Sequence, residues 1–144
     1  MRGRILAVDV GARRVGLAIS DASGTLARPL ETIAVATDAD AVERVARRVD
    51  DLIGEDDGLA AIVVGLPSQL DGSPTRETSR VTAFIASLRA LTSLMIVTED
   101  ERLSSREAES RLALRERDWR KRKKTLDAAA AAIILQDYLD RPRL

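Results

Sequence analysis

The chain predicts an α/β fold: a five-stranded mixed sheet, three antiparallel strands followed by two parallel ones, flanked by helices. Three observations predict it. The first three strand-like runs are joined by connections too short for anything but antiparallel pairing. The later runs are separated by segments with the 3.6-residue apolar period of crossover helices. No repeat or linker interrupts the 144 residues, so residues 1–144 read as one domain, long enough to bury roughly two thirds of its unfolded surface.

The elements follow in order. Ile5 to Val10 is apolar except for Asp9, and Val15 to Ser20 comes after a short Gly11-Ala12-Arg13-Arg14 turn. A third strand is expected around Leu30 to Val35. Val42, Val45, Ala46, Val49, Leu52 and Ile53 then repeat at helical spacing, with Thr37 or Asp38 as the cap. Ala60 to Val64, stopped by Gly65-Leu66-Pro67, is the continuous apolar run of a buried central strand, and it leads into a polar loop through Asp71-Gly72. Ser73-Pro74 is expected to open a second helix, with proline at its first position and Val81, Phe84, Ile85 and Leu88 as its buried stripe. Leu94 to Thr98 is a fifth strand, followed by Glu99, Asp100 and Glu101. Ser104 with Glu107 forms a capping box for a third helix through Leu112 and Leu114, and Thr125 is expected to cap a last helix from Leu126 to Leu139.

Composition narrows the chemistry. With no cysteine and no histidine, disulfides, thiolate nucleophiles, cysteine zinc sites and imidazole bases are all excluded. Chemistry must run on carboxylates, hydroxyls, Lys and Arg. The N-terminal stretch is unlike a signal peptide, because Asp9 breaks its apolar segment. The longest apolar run, Ala128 to Leu135, is far below membrane-spanning length. A soluble, cytoplasmic protein is expected.

Asp9 is the most informative residue. A carboxylate inside an apolar strand costs several kcal/mol unless something holds it charged, and a bound cation is the simplest holder. Asp127 repeats the pattern in the last helix, the one polar residue between Leu126 and Leu135. Glu101, near the carboxyl end of the fifth strand, is the third candidate. Alternation places Glu99 and Glu101 on one side and Asp100 on the other, unless a loop begins there. Three such acids suit a hard cation, Mg²⁺ or Mn²⁺, which prefers oxygen ligands. Two ions about 3.5–4 Å apart can activate water and stabilise the leaving oxygen of a phosphodiester without any histidine.

Several stretches, in order along nearly the whole chain, carry a resemblance. They are Val8-Asp9-Val10-Gly11 with Gly16, Val64-Gly65-Leu66-Pro67 followed by Asp71-Gly72-Ser73, and Asp100-Glu101-Arg102-Leu103-Ser104. The last is Lys123-Lys124 with Asp127, Ala130, Ala131 and Ile134-Leu135-Gln136-Asp137-Tyr138-Leu139. Together they resemble the YqgF/RuvX family. The resemblance implies an RNase H-like fold related to the RuvC resolvases, and a nuclease role at the 5′ end of the small-subunit ribosomal RNA precursor in ribosome biogenesis. It also implies Asp9, Glu101 and Asp127 as the acidic, metal-holding triad. One departure matters: RuvC-type resolvases carry a glutamate on the fourth strand, where this chain has Val63-Val64-Gly65.

Charge adds a partner. The 23 basic and 23 acidic residues balance. Yet Arg115 to Lys124 holds seven basic residues against two acids and includes every lysine of the chain. Lying just before Asp127, the cluster Lys121, Arg122, Lys123 and Lys124 suits a phosphate backbone, and the resemblance implies RNA ahead of DNA. Trp119 is a packing anchor or a stacking platform for an unpaired base. Arg13, Arg14 and Arg102 could clamp phosphates near the acids, Arg102 foremost. No membrane partner is expected, and self-pairing into a homodimer is left open. The competing functions are a DNA nuclease or Holliday junction resolvase, a non-catalytic RNA-binding ribosome biogenesis factor, and an actin-like or sugar-kinase ATPase. The ATPase would need a second such domain, for which this chain is too short.

Overall fold

The first hairpin sets the geometry of everything else. In the computed structural model, which describes residues 3–67, 73–100 and 119–141 (backbone alone for 119–126), β1 (Arg4–Val10) and β2 (Arg14–Ser20) pair antiparallel. Strand β3 (Ala27–Ala34) adds antiparallel to β2. Helix α1 (Asp38–Ile53) crosses to β4 (Leu59–Leu66), which pairs parallel with β1, and α2 (Arg76–Arg89) crosses to β5 (Met95–Asp100), parallel with β4. The final helix, α3, spans Trp119–Asp140. The strand order is β3-β2-β1-β4-β5, the mixed sheet that the sequence predicts.

Period-two alternation sorts the strands onto two faces. Leu6, Val8, Val10, Val15, Leu17, Ile19, Ile62, Val64 and Ile96 join Val45, Val49 and Leu52 of α1 and Val81, Phe84, Ile85 and Leu88 of α2 in one apolar cluster. Ile5, Ala7, Ala18 and Val63 face the other way, against Ala131, Ile134 and Leu135 of α3. Small alanines let α3 lie close over β1, β2 and β3. Its Gln136 clamps the start of the edge strand: Oε1 accepts from Ala27 N at 2.9 Å, and Nε2 donates to Thr25 O at 3.0 Å.

Three local expectations are corrected. Strand β3 begins at Ala27 rather than Leu30, because Pro29 sits in an edge strand, where a missing N–H costs no ladder bond. A register irregularity in β2 between Leu17 and Ala18 accommodates it. Helix α2 starts at Arg76, so Pro74 lies outside it. Thr75 is the cap, in a reciprocal capping box with Thr78, because two threonines can satisfy each other's backbone N–H groups. Thr125 is not a cap, since α3 already begins at Trp119. The arginines and lysines before Thr125 are good helix formers and extend the helix upstream. The Asp71-Gly72 loop and the helix opened by Ser104 and Glu107 lie outside the described residues. Among the described residues, no helix is long and apolar enough to cross a membrane.

Candidate active site

Glycines build this site. Gly11 N donates to Arg14 O at 2.9 Å, and a Cβ on Gly11 would lie 2.6 Å from that carbonyl. Only glycine fits so tight a turn. The turn fixes the register in which Asp9 stands directly across from Gly16. Alternation with Ile5 and Ala7 sends the half-buried Asp9 side chain to the α3 face, level with the carboxyl end of β1.

Gly16 is the seat of the last helix. A Cβ there would lie 2.0 Å from the backbone oxygen of Asp127 and 2.4 Å from its carbonyl carbon. The backbone of Asp127 therefore rests on β2 at the residue facing Asp9. Two acidic residues far apart in sequence are brought to one place on the sheet because Gly16 has no side chain to keep the α3 backbone off β2. Asp127 Oδ2 accepts from Arg14 Nε at 2.8 Å, with the two side chains 28% and 32% exposed.

The remaining sequence candidates separate into three groups. Glu101 and Arg102 lie outside the described residues. Lys121, Arg122, Lys123 and Lys124 occupy the turns of α3 just before Asp127, within about 9 Å along the helix axis at 1.5 Å per residue. Arg13 is exposed in the turn, and its carbonyl accepts from Val35 N at 2.9 Å. Among the described residues no three His, Cys, Asp or Glu side chains gather into a metal-binding group. Of the three candidate acids, Asp9 and Asp127 are the two that lie among the described residues.

The sequence ends the fifth strand at Thr98 and leaves Glu99 out of the candidate site. Glu99 lies on β5, paired in register with Gly65, and is 3% exposed. It shares the α3 face with Val97. Its Oε2 meets Arg141 Nη2 at 2.9 Å, just beyond the end of α3. Burial pushes its pKa up, with Asp137 and Asp100 adding to the rise and Arg141 opposing it. Alternation gives its side correctly, but only the extension of β5 through Asp100 makes it a strand residue on the packed face. The Arg141 partner carries no local sequence signal. The β1–β4 register ends at Val8 beside Val64, so one step on Asp9 is level with Gly65, and Glu99 stands two strand spacings from Asp9, about 10 Å.

Residues 3–141 match the model of the RuvX family, described as Holliday junction resolvase. The chain belongs to the RuvX family. Its RuvX relatives include a protein of Geobacillus kaustophilus (strain HTA426), 40% identical over 97% of this chain and 99% of the relative. A protein of Desulforudis audaxviator (strain MP104C) is 34% identical over 95% and 94%. Both bear the name "Putative pre-16S rRNA nuclease". Among solved structures, T. thermophilus RuvC in complex with a Holliday junction substrate superimposes with a TM-score of 0.55 at 16% identity, covering 95% of this chain and 93% of RuvC. The fowlpox virus Holliday junction resolvase gives 0.50 at 17%, over 95% and 97%. These likenesses establish the RNase H-like fold of this RuvX chain.

Proposed function

We propose that this chain is a single-domain, metal-dependent phosphodiester hydrolase acting at the 5′ end of the small-subunit ribosomal RNA precursor. The observation that carries the reading is the seating of Asp127 on Gly16, directly across from Asp9. An apolar sheet face that gathers two carboxylates at the carboxyl end of its strands is placed as α/β ligand sites are. The RuvX membership and the names of the relatives supply the substrate class.

The donor set fits a hard divalent cation, Mg²⁺ or Mn²⁺: carboxylate oxygens, without sulfur or imidazole. Asp9, Asp127 and Glu101 would hold it. Bound there, such ions supply an activated water and stabilise the leaving oxygen of the phosphodiester. The chain's own residues do the rest. Asp127 is oriented by Arg14, and Gly16 sets its distance from β2. Lys121, Arg122, Lys123 and Lys124, with Arg13 and Arg102, attract the phosphate backbone and hold the strand beside the acids. A role on ribosomal RNA precursor would be exercised in the cytoplasm.

The test uses purified protein with Mn²⁺ or Mg²⁺ and labelled single-stranded RNA, single-stranded DNA and four-way junctions, beside Asp9→Asn and Asp127→Asn. The expected result is cleavage of RNA by wild type and background rates for both variants. Equal cleavage by all three proteins would overturn the reading. The fold neighbours favour a second reading, junction resolution, and preferential cutting of the four-way junction would select it.

A further inference from the structure

Arginines at the starts of the first two strands are used in opposite ways. Arg4 is buried, and it directs its donors into its own chain: Nε to Gly58 O at 3.1 Å, Nη2 to Leu52 O at 3.3 Å and to Glu55 Oε1 at 2.9 Å. It is a structural arginine. Arg14 opens β2, and alternation against Val15 and Leu17 places it with Gly16 on the α3 face. Its one hydrogen bond among the described residues runs from Nε to Asp127 Oδ2, at 2.8 Å.

That bond uses one of five guanidinium N–H groups and one of roughly four lone-pair sites on the carboxylate. An arginine–carboxylate pair can also engage as a fork, two parallel bonds at once. Here the contact is single, and both Nη groups are without a partner among the described residues. The side chain is 32% exposed. A planar cation fixed at one edge, with donors left at the other, matches the oxygens of a phosphodiester better than an ammonium would.

Resting on the metal-hydrolase reading above, we propose that Arg14 bridges the Asp127 carboxylate to the bound nucleic acid. Its Nε–H orients the carboxylate, while its Nη groups donate to a non-bridging phosphate oxygen. The same positive charge tempers the cation affinity of Asp127, because it sits against one of the two ligand oxygens. Arg14 thus makes cation binding weaker and substrate binding stronger, two effects of opposite sign from one side chain.

The opposite signs make the test. Arg14→Gln, Arg14→Lys and Asp127→Asn are compared with wild type in the full chain, with urea midpoints confirming that each folds. Mn²⁺ binding without nucleic acid is read by electron paramagnetic resonance, and single-stranded RNA binding by fluorescence anisotropy across a salt series. Arg14→Gln is expected to bind Mn²⁺ about fivefold more tightly, since a unit charge has left the carboxylate. It should also lose about one unit of the logarithmic salt slope for RNA. Arg14→Lys, which keeps the charge, should restore the slope. A merely structural arginine would weaken Mn²⁺ binding in step with the urea midpoint. Either Mn²⁺ affinity or salt slope remaining at its wild-type value in Arg14→Gln overturns the bridge. Unchanged Mn²⁺ binding in Asp127→Asn would instead overturn the metal reading itself, so the two failures are told apart.

Discussion

On the α1/α2 face of the sheet, branched aliphatic side chains and Phe84 interdigitate in an apolar cluster that includes Val45, Leu52, Ile62 and Leu88. On the α3 face, packing rests on alanines with Ile134 and Leu135, and the same surface carries Asp9, Arg14, Glu99 and Asp127. Burial of large apolar groups supplies folding free energy. Alanine supplies little of it, but it permits close approach and leaves room for charge. One face therefore holds the sheet together and the other holds the carboxylates in place.

The largest effect is expected where the second face depends on contact alone. Gly16→Ala would set a methyl group 2.0 Å from the Asp127 carbonyl oxygen, a backbone atom that can move only with its helix. Urea unfolding should show a loss of about 3 kcal/mol or more, together with lost Mn²⁺ binding. A wild-type midpoint would mean that α3 does not rest on β2. On the opposite face, Leu88→Ala should cost about 3 kcal/mol, because Leu88 is fully buried. Turnover per folded molecule should be unchanged, and a matching fall in turnover would erase the distinction between the faces.

Arg141→Ala sharpens the comparison through pH. The variant leaves the buried Glu99 carboxylate without its cation, and the expected cost near neutral pH is about 2 kcal/mol. That is below the range for a fully buried pair, because Arg141 is itself largely exposed. Because the Glu99 pKa is raised by burial, the folded state favours the protonated form. The penalty should therefore shrink as pH falls through the Glu99 titration and widen above it. Urea midpoints over a pH series measure this, and a pH-independent difference would remove Glu99 from the account. The smallest effect is expected from Thr37→Ala, which removes the acceptor for Asp40 N at 3.0 Å. About 1 kcal/mol is expected, with no change in cleavage rate.

Periodicity carried most of the architecture. The alternation in β1 and β2, the continuous run of β4 and the stripes of α1 and α2 each follow from where water is excluded, and they are readable one segment at a time. Asp9 and Asp127 stood out because each is an acid amid apolar neighbours. Their proximity was not readable, because it depends on a backbone contact at Gly16. A glycine in a strand signals that something approaches closely, without saying which segment does. The Arg14–Asp127 and Glu99–Arg141 pairings were hidden for the same reason: charge pairing between distant segments leaves no period. Pro29 misled because the edge position that tolerates it is a property of the assembled sheet.

Alanines make the underside of α3 smooth near Asp127, so apolar packing there does little to stop the helix from sliding along its own axis. Besides Ile134 and Leu135, its longitudinal setting comes from polar attachments spread over its length: Asp127 to Arg14, Gln136 to Thr25 and Ala27, and Arg141 to Glu99. A slip of one turn, 5.4 Å, would break all of them together. Asp127 is thus indexed from the far end of a pinned rod, and damage at Gln136 or Arg141 will be felt at a carboxylate that neither residue touches.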